Sequence, residues 1–302
     1  MSSCVSLLSM IKLIPCDACG GTRFQRLFEK ASSRGEMFSL VRCLDCGLVQ
    51  VNPQPDLESV RPYYEEEYFK KRSDRGYDNY YSSDVKNEIR RVYSLNLRDL
   101  GFFEFEARFL KEGKEKPDAL DAGCAAGYFV EYLKDRGWKS EGIEISRSAA
   151  SFGIEKLGLD IRIGDFLSEK DLAPSSYDLI TLWASLEHMH SPRAVLARAS
   201  ELLKPGGCMI LSTCRYGHLA NWNGPGWRYM NVPEHLYFFS LRGLKQLAAQ
   251  CGLNTVSWIT YGSGMTSKKG ASIFYRALKK LADPGVKIFG QGDMMALRFQ
   301  KM

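Results

Sequence analysis

Four cysteines form two matched pairs, Cys16-x-x-Cys19 and Cys43-x-x-Cys46, with 23 residues between the pairs. Four thiolates at that spacing suit a tetrahedral Zn²⁺, and the glycine after each pair (Gly20, Gly47) frees the backbone to turn both sulfurs toward one ion. Four protein ligands leave the ion no open position. Its expected role is therefore structural, holding together a segment too small to bury much core of its own. A redox role fits less well, because two pairs are present and neither precedes a helical pattern. The other five of the nine cysteines (Cys4, Cys124, Cys208, Cys214, Cys251) are scattered. An odd total in that distribution fits reduced thiols in a cytoplasmic protein, not a secreted disulfide framework.

A second group of chemically capable residues recurs at the ends of apolar runs. Asp121-Ala122-Gly123-Cys124-Ala125-Ala126-Gly127 follows one such run, and Glu144 closes the next, 23 residues after Asp121. Asp165, with Phe166, closes a third. Glycines permit a tight turn and a close backbone approach, and the helix that follows points its free N–H groups at whatever binds. A carboxylate placed as Glu144 is can accept hydrogen bonds from both hydroxyls of a ribose. Asp165 and Phe166 are placed for an adenine amino group and an adenine face. A dinucleotide-binding loop expects G-x-G-x-x-G. Here Ala125 and Tyr128 take the second and third glycine positions, and a tyrosine there obstructs the close helix–strand packing of that fold.

The elements that would position these residues fall into three blocks. Residues 14–50 alternate apolar and polar side chains between the cysteine pairs and predict short strands. Residues 51–116 open on Pro53 and Pro55 and pass an aromatic, acidic stretch (Tyr63, Tyr64, Tyr68, Phe69). They then repeat Ile89, Val92, Tyr93, Leu97, Leu100 and Phe103 at helical spacing, with Gly113 and Pro117 ending the helix. This block is expected to connect the other two and to cap the cofactor and acceptor. Residues 117–302 alternate strand and helix. Strands end at Gly123, Glu144–Ile145 and Asp165, a buried strand spans 177–182, and another spans 208–212 after a helix over 192–203 closed by Pro205-Gly206-Gly207. A helix over 241–251, a strand over 256–261, a helix over 271–282 and a last strand over 294–299 follow. That alternation argues for an α/β fold with a doubly wound, Rossmann-like sheet, in which ligands bind at the carboxyl ends of the strands.

Over residues 117–302 the chain resembles the class I S-adenosylmethionine-dependent methyltransferases. The matching residues are Leu120 to Phe129, Gly142-Ile143-Glu144-Ile145-Ser146, Gly164-Asp165, Tyr177 to Trp183, Leu186-Glu187-His188 and Leu203-Lys204-Pro205-Gly206-Gly207. The resemblance implies a methyltransferase sheet with an antiparallel last strand and S-adenosylmethionine as cofactor. It implies that Asp121, Gly123, Cys124, Ala125, Gly127 and Tyr128 hold the amino-acid part, that Glu144 with Ile145 serves the ribose, and that Asp165 with Phe166 serves the adenine. Trp183 completes the expected cofactor set. Ala184 stands where relatives often carry a polar residue, and Cys214-Arg215 where Pro-Asn is common.

The first block, with Cys46-Gly47-Leu48-Val49-Gln50 and its two cysteine pairs ahead of such a domain, resembles the zinc ribbon of nucleotide-sugar C-methyltransferases and their shorter relatives. The full-length enzymes carry a further C-terminal domain that has no counterpart before Met302. Glu234-His235 resembles the Glu-His pair those enzymes use for proton abstraction. Attack by a hydroxyl oxygen requires loss of its proton, and a neutral imidazole suits that task near pH 7. His235 is therefore the expected general base, with Glu234 orienting it or binding an acceptor hydroxyl. His188 is expected to be structural or to line the cofactor pocket, and His190 to lie at the surface. The aromatic loop from Trp222 to Tyr229 is either a lid or core beneath a long loop.

The formal net charge of +6 is local: residues 1–115 hold 18 basic against 18 acidic side chains, 116–256 hold 15 against 15, and the last 46 hold 8 against 2. A neutral body argues against a protein that coats double-stranded nucleic acid. The excess lies mostly within residues 268–287 (Lys268, Lys269, Arg276, Lys279, Lys280, Lys287). That segment could clamp an acidic substrate or make weak contact with an anionic membrane surface, or it is a solvated helix face. No transmembrane run and no secretory leader are expected. The sequence thus predicts a cytoplasmic S-adenosylmethionine-dependent methyltransferase acting on a small-molecule or saccharide-like acceptor, at oxygen in preference to carbon. Alternatives are an inactive scaffold whose zinc module recruits a partner, or an RNA or protein methyltransferase.

Overall fold

Residues 14–64, 79–109, 115–264 and 272–302 are described by a computed structural model of the chain. Cys4, Tyr68, Phe69, Gly113, Lys268 and Lys269 lie outside the described residues, as do the side chains of Arg276 and Lys280. Among the described residues, no helix is long and apolar enough to cross a membrane.

The cysteine-bearing block is an antiparallel hairpin, β1 (Phe24–Ala31) and β2 (Met37–Cys43), followed by β3 (Val49–Val51). Its fourth strand comes from far along the chain: β9 (Tyr237–Phe238) pairs antiparallel with β3, Val49 opposite Phe238 and Gln50 opposite Tyr237. Cys16, Leu40, Cys43, Leu48, Val49 and Val51 share one apolar core with the second half of the chain. The short ribbon thus buries its apolar face against the larger domain.

The connector begins with α1 (Leu57–Val60), capped by the Asp56 carboxylate accepting from Ser59 N–H at 2.8 Å, and a 3₁₀ turn, Arg61–Tyr64. The apolar spacing through Phe103 predicts one helix, but two are present. Helix α2 (Ser83–Asp99) ends where Gly101 takes φ +66°, and α3 (Phe102–Glu106) restarts beyond it. The left-handed glycine breaks the ladder while Leu97, Leu100 and Phe102 all remain buried, so the pattern survives the break.

The second sheet is built from β4 (Asp118–Ala122), β5 (Lys139–Glu144), β6 (Ile161–Ile163), β7 (Tyr177–Trp183), β8 (Leu203–Cys214), β10 (Leu253–Tyr261) and β11 (Met294–Lys301). Its order is β10-β11-β8-β7-β4-β5-β6. Strands β4 to β8 pair in parallel, whereas β11 runs antiparallel to both neighbours, as expected of the last strand. Helices α4 (Tyr128–Asp135), α5 (Arg147–Leu157), α6 (Pro192–Leu202), α7 (His218–Asn223), α8 (Leu241–Gln250) and α9 (Ile273–Ile288) lie between strands. Strand β8 starts five residues earlier than predicted. Tyr177 pairs with Leu203 and Leu179 with Cys208, so Lys204-Pro205-Gly206-Gly207 bulges out of the ladder between them. Pro205 has no N–H to give, and a Cβ on Gly207 would lie 2.8 Å from the Lys204 carbonyl. Helix α9 runs six residues beyond its predicted end. Its described lysines are ion-paired within the chain, Lys279 with Asp283 and Lys287 with Asp99 at 2.5 Å.

Candidate active site

The strand order reverses beside β4, and the carboxyl ends of β4, β5 and β6 place the three predicted acids side by side. Gly123, Ala125 and Gly127 all have positive φ (75°, 50° and 77°), which folds the loop back over the strand end. A Cβ on Gly123 would lie 2.6 Å from Ser185 Cβ, so the backbone is as close to its neighbour as glycine allows. Tyr128 begins α4 buried, its hydroxyl donating to the Tyr80 carbonyl at 3.0 Å, and so fills the third-glycine position of a dinucleotide loop. Cys124 is buried, and burial pushes its thiol well above the ordinary range.

Beneath the loop, Asp121 accepts from the Thr181 hydroxyl at 2.6 Å. Glu144 accepts from the main-chain N–H groups of Ala125 at 2.8 Å and Ser146 at 2.7 Å. Both carboxyls are buried, and no Lys or Arg pairs with either among the described residues. Burial raises Asp121 to about 7; the Thr181 hydroxyl opposes the rise and the Glu144 charge adds to it. Burial likewise raises Glu144, against its main-chain donors. Two buried acids with no Lys or Arg partner among the described residues suit a cationic group and further hydroxyl donors. The amino group and ribose of S-adenosylmethionine are groups of those kinds, so the residues present fit that cofactor.

The remaining predicted contacts divide. Ile145 is exposed at the mouth. Asp165 is half-buried and caps the turn after β6, accepting from Ser168 N–H at 3.1 Å and Ser168 Oγ at 2.9 Å. The Phe166 ring turns into the main core, 2% exposed, so an adenine is offered the Phe166 main chain and not an open ring face. Trp183 packs against Tyr93 and Phe129, and its buried Nε1 has no hydrogen-bond partner among the described residues. Tyr81, which the sequence pattern did not single out, lies within electrostatic reach of Glu144 and packs on Phe152 with ring centroids 4.4 Å apart. Thr181 was equally invisible, because it reads as one more β-branched residue of an apolar strand.

Beyond the ends of β7 and β8, the chain gathers a second cluster. His235 is buried, and its Nδ1 lies 2.9 Å from the Tyr229 carbonyl and 3.8 Å from Cys214 Sγ. A carbonyl only accepts, so Nδ1 carries the proton and Nε2 is the basic atom. His188 is held in the same tautomer, with Nδ1 2.7 Å from the Glu234 carbonyl, to which the Tyr64 hydroxyl also donates at 2.9 Å. The two imidazoles meet edge to face at 4.6 Å between centroids. Side-chain donor atoms of Glu187, His188 and His235 all lie within 4.8 Å of one another. The Glu234 carbonyl thus joins this cluster. His190, expected at the surface, is half-buried, with Nε2 3.0 Å from the Pro55 carbonyl. In the aromatic loop, Trp227 is core, bonded to Asp293 at 3.1 Å, whereas Trp222 is 85% exposed.

The four predicted metal-binding thiols converge. Cys16 Sγ is 3.4 Å from Cys46 Sγ, Cys19 Sγ is 3.5 Å from Cys43 Sγ, and all four lie within 4.8 Å of one another. Sulfurs bound at about 2.3 Å around tetrahedral Zn²⁺ are about 3.8 Å apart, so this set fits that ion. Burial and the neighbouring thiols push Cys46 up to about 11 and Cys16 higher still. At Cys43, burial works in the same direction but is outweighed by the N–H groups of Cys46 and Asp45, which lower it. Binding of a divalent cation by thiolates would release the thiol protons from this packed set.

Comparison with known proteins bears on the domain that carries the glycine loop. Residues 96–257, just over half of the chain, match the family described as "Methyltransferase domain". The ubiquinone biosynthesis O-methyltransferase of Burkholderia vietnamiensis is 31% identical over 137 residues, covering 43% of this chain and 56% of that protein. The chain thus spans about half the length of that relative. A protein of the same name from Idiomarina loihiensis is 24% identical over 188 residues, covering 58% of this chain and 75% of that protein. A SAM-dependent methyltransferase from Archaeoglobus fulgidus superposes with a TM-score of 0.51 at 17% identity, over 82% of this chain and 100% of that one, and shares the fold. The chain belongs to the methyltransferase-domain family.

Proposed function

We propose that the protein transfers a methyl group from S-adenosylmethionine to an oxygen of a small acceptor, with His235 as general base. The observation that carries this reading is the pinned tautomer of His235. Its Nδ1–H is held by the Tyr229 carbonyl, which leaves Nε2 as the proton acceptor beyond the strand ends that carry the glycine loop. When bound, the cofactor supplies an electrophilic methyl on sulfur, whose C–S electrons remain with the sulfur. Asp121 and Glu144 would hold its amino-acid and ribose portions, with Gly123, Cys124, Ala125, Gly127, Tyr128 and Ile145 around them and Asp165, Phe166 and Trp183 beyond. The acceptor hydroxyl gives its proton to His235 Nε2 as its oxygen forms the new bond to carbon. Glu234 orients the base through the main-chain segment they share. Positioning and proton removal are the main contributions of the protein.

The name borne by the relatives supports oxygen as the methylated atom and a small molecule as acceptor. A saccharide-like acceptor is the narrower form of the same reading. The four thiolates Cys16, Cys19, Cys43 and Cys46 would hold a structural Zn²⁺. Contact between residues 268–287 and an anionic membrane surface is weakened by the ion pairs of Lys279 and Lys287, and co-sedimentation with anionic vesicles at low and high salt tests it.

The deciding experiment incubates the protein with methyl-labelled S-adenosylmethionine and separate panels of hydroxylated aromatics and nucleotide sugars, then locates the label by mass spectrometry. His235→Ala should lower turnover by about 100-fold or more while cofactor affinity holds. Near wild-type turnover in that variant removes His235 as the base.

A further inference from the structure

The sequence pairs His235 with its neighbour Glu234, yet another carboxylate faces the imidazoles. Glu187 is 1% exposed and lies in the 3₁₀ turn Leu186–His188 that follows β7. Its carboxylate, a His188 ring nitrogen and a His235 ring nitrogen all lie within 4.8 Å of one another. The turn is tied to the base by the main chain, because Leu236 N–H donates to the Glu187 carbonyl at 2.9 Å. Among the described residues, the other polar groups hydrogen-bonded to the imidazoles are a hydroxyl, a thiol and carbonyls. They are Tyr64 from the connector, Cys214 at the end of β8, and the carbonyls of Tyr229 and Glu234 from the loop. The buried Glu234 lies at the end of that loop, and Tyr261 of β10 lies within electrostatic reach of Glu187.

We propose that Glu187 is the positioning residue of the reaction: its buried carboxylate balances the imidazolium formed when the His188–His235 pair takes up the acceptor proton. The proposal rests on His235 being the base. Both Nδ1 atoms are already donors, so a proton arriving at either Nε2 makes a full cation in a site shielded from water. A buried cation of that kind needs an anion close by. Glu187 meets that need for both rings at once, and the edge-to-face contact at 4.6 Å keeps the rings close enough to share one charge.

The test uses the zinc-loaded full-length chain and the ring C–H resonances of its four histidines, with His190 and His218 as internal references. Glu187→Gln should lower the titration midpoint of His188, His235 or both by about 1 unit or more, leaving the references unmoved. In the assay, the acid limb of the kcat/KM profile should move with it, and kcat should fall by about 10-fold or more with cofactor affinity retained. Glu187→Asp should restore part of both effects. Midpoints and acid limb unchanged in a folded Glu187→Gln protein overturn the proposal, and so does a second bound divalent metal per chain that this substitution removes. Failure of the base itself is seen separately, as turnover surviving His235→Ala, so the two outcomes are distinguishable.

Discussion

The main-chain N–H of Val51 donates to the carbonyl of Leu236 at 2.9 Å, joining the last residue of the ribbon strand β3 to the residue after His235. One residue farther, β3 and β9 pair through Gln50 and Tyr237. On its other side β3 pairs with β2, which ends on Cys43, and Cys43 N–H donates to the Leu48 carbonyl at 2.9 Å. The four-cysteine cluster and His235, the proposed base, therefore lie at opposite ends of one hydrogen-bonded strip. That strip ties the register of the segment carrying His235 to the ribbon strand β3.

Removing the metal should loosen that register while sparing the cofactor strands, which lie across the second sheet. A chelator strong enough to extract one Zn²⁺ per chain is expected to lower kcat by about 10-fold or more, with cofactor affinity changed by less than about 3-fold. Metal analysis, calorimetry and turnover on the same sample check this. Loss of cofactor binding in parallel with activity would show general unfolding in place of a local lever.

Gly123 carries two constraints, φ +75° and a Cβ position 2.6 Å from Ser185 Cβ, whereas Gly206 has φ +74° with nothing nearer than 3.8 Å. Gly206→Ala should therefore cost about 1 kcal/mol from backbone strain alone. Gly123→Ala should cost a further 1–3 kcal/mol, roughly, and weaken cofactor binding, since the loop must move away from Ser185. Urea denaturation of the two variants gives the difference directly. Equal costs would mean that the loop yields without strain.

The alternation from residue 118 onward, the acids at the strand ends and the four thiols were legible because each rests on local rules: period, turn residues and ligand spacing. Contacts set by tertiary structure were not. Phe166 reads as an adenine face, but its ring is buried in the main core, a packing that local spacing does not reveal. Glu187 and Glu234 are 47 residues apart in sequence, and only the loop that returns over β7 decides which carboxylate faces the imidazoles. The split of the connector helix at Gly101 was similarly hidden, because the apolar spacing continues across it.

Arg193, at the start of α6, reaches across to the cysteine knuckle. Its N–H donates to the Asp17 carboxylate at 2.7 Å, its Nε to the Asp17 carbonyl at 3.2 Å, and a terminal nitrogen to the Ala18 carbonyl. Arg193→Ala removes the two side-chain bonds to knuckle carbonyls, together with one to the Gln250 amide oxygen, and leaves the main-chain bond. The expected cost is about 1–3 kcal/mol, with faster zinc release to a chromogenic chelator. Zinc release at the wild-type rate would place the hold on the knuckle elsewhere.

Asp121 makes the stability of the cofactor-free protein depend on pH in an unusual sense. Burial raises its carboxyl from 3.8 to about 7, the Thr181 hydroxyl opposing and the Glu144 charge assisting. Between roughly pH 4 and pH 7 the folded chain keeps a proton that the unfolded chain has already released. Its contribution is therefore full below about pH 4, is lost as pH rises through this window, and levels off above about pH 7. Across the window it is on the order of 4 kcal/mol. Asp121→Asn removes the titration, so the wild type should lose stability relative to the variant as pH climbs from 5 to 8. A cationic amino group binds the carboxylate form, so cofactor affinity should rise over the same range in the wild type and stay flatter in Asp121→Asn. Parallel denaturation and calorimetry at pH 5, 6, 7 and 8 measure both. Identical pH slopes in the two proteins would show that Asp121 is ionised throughout this range.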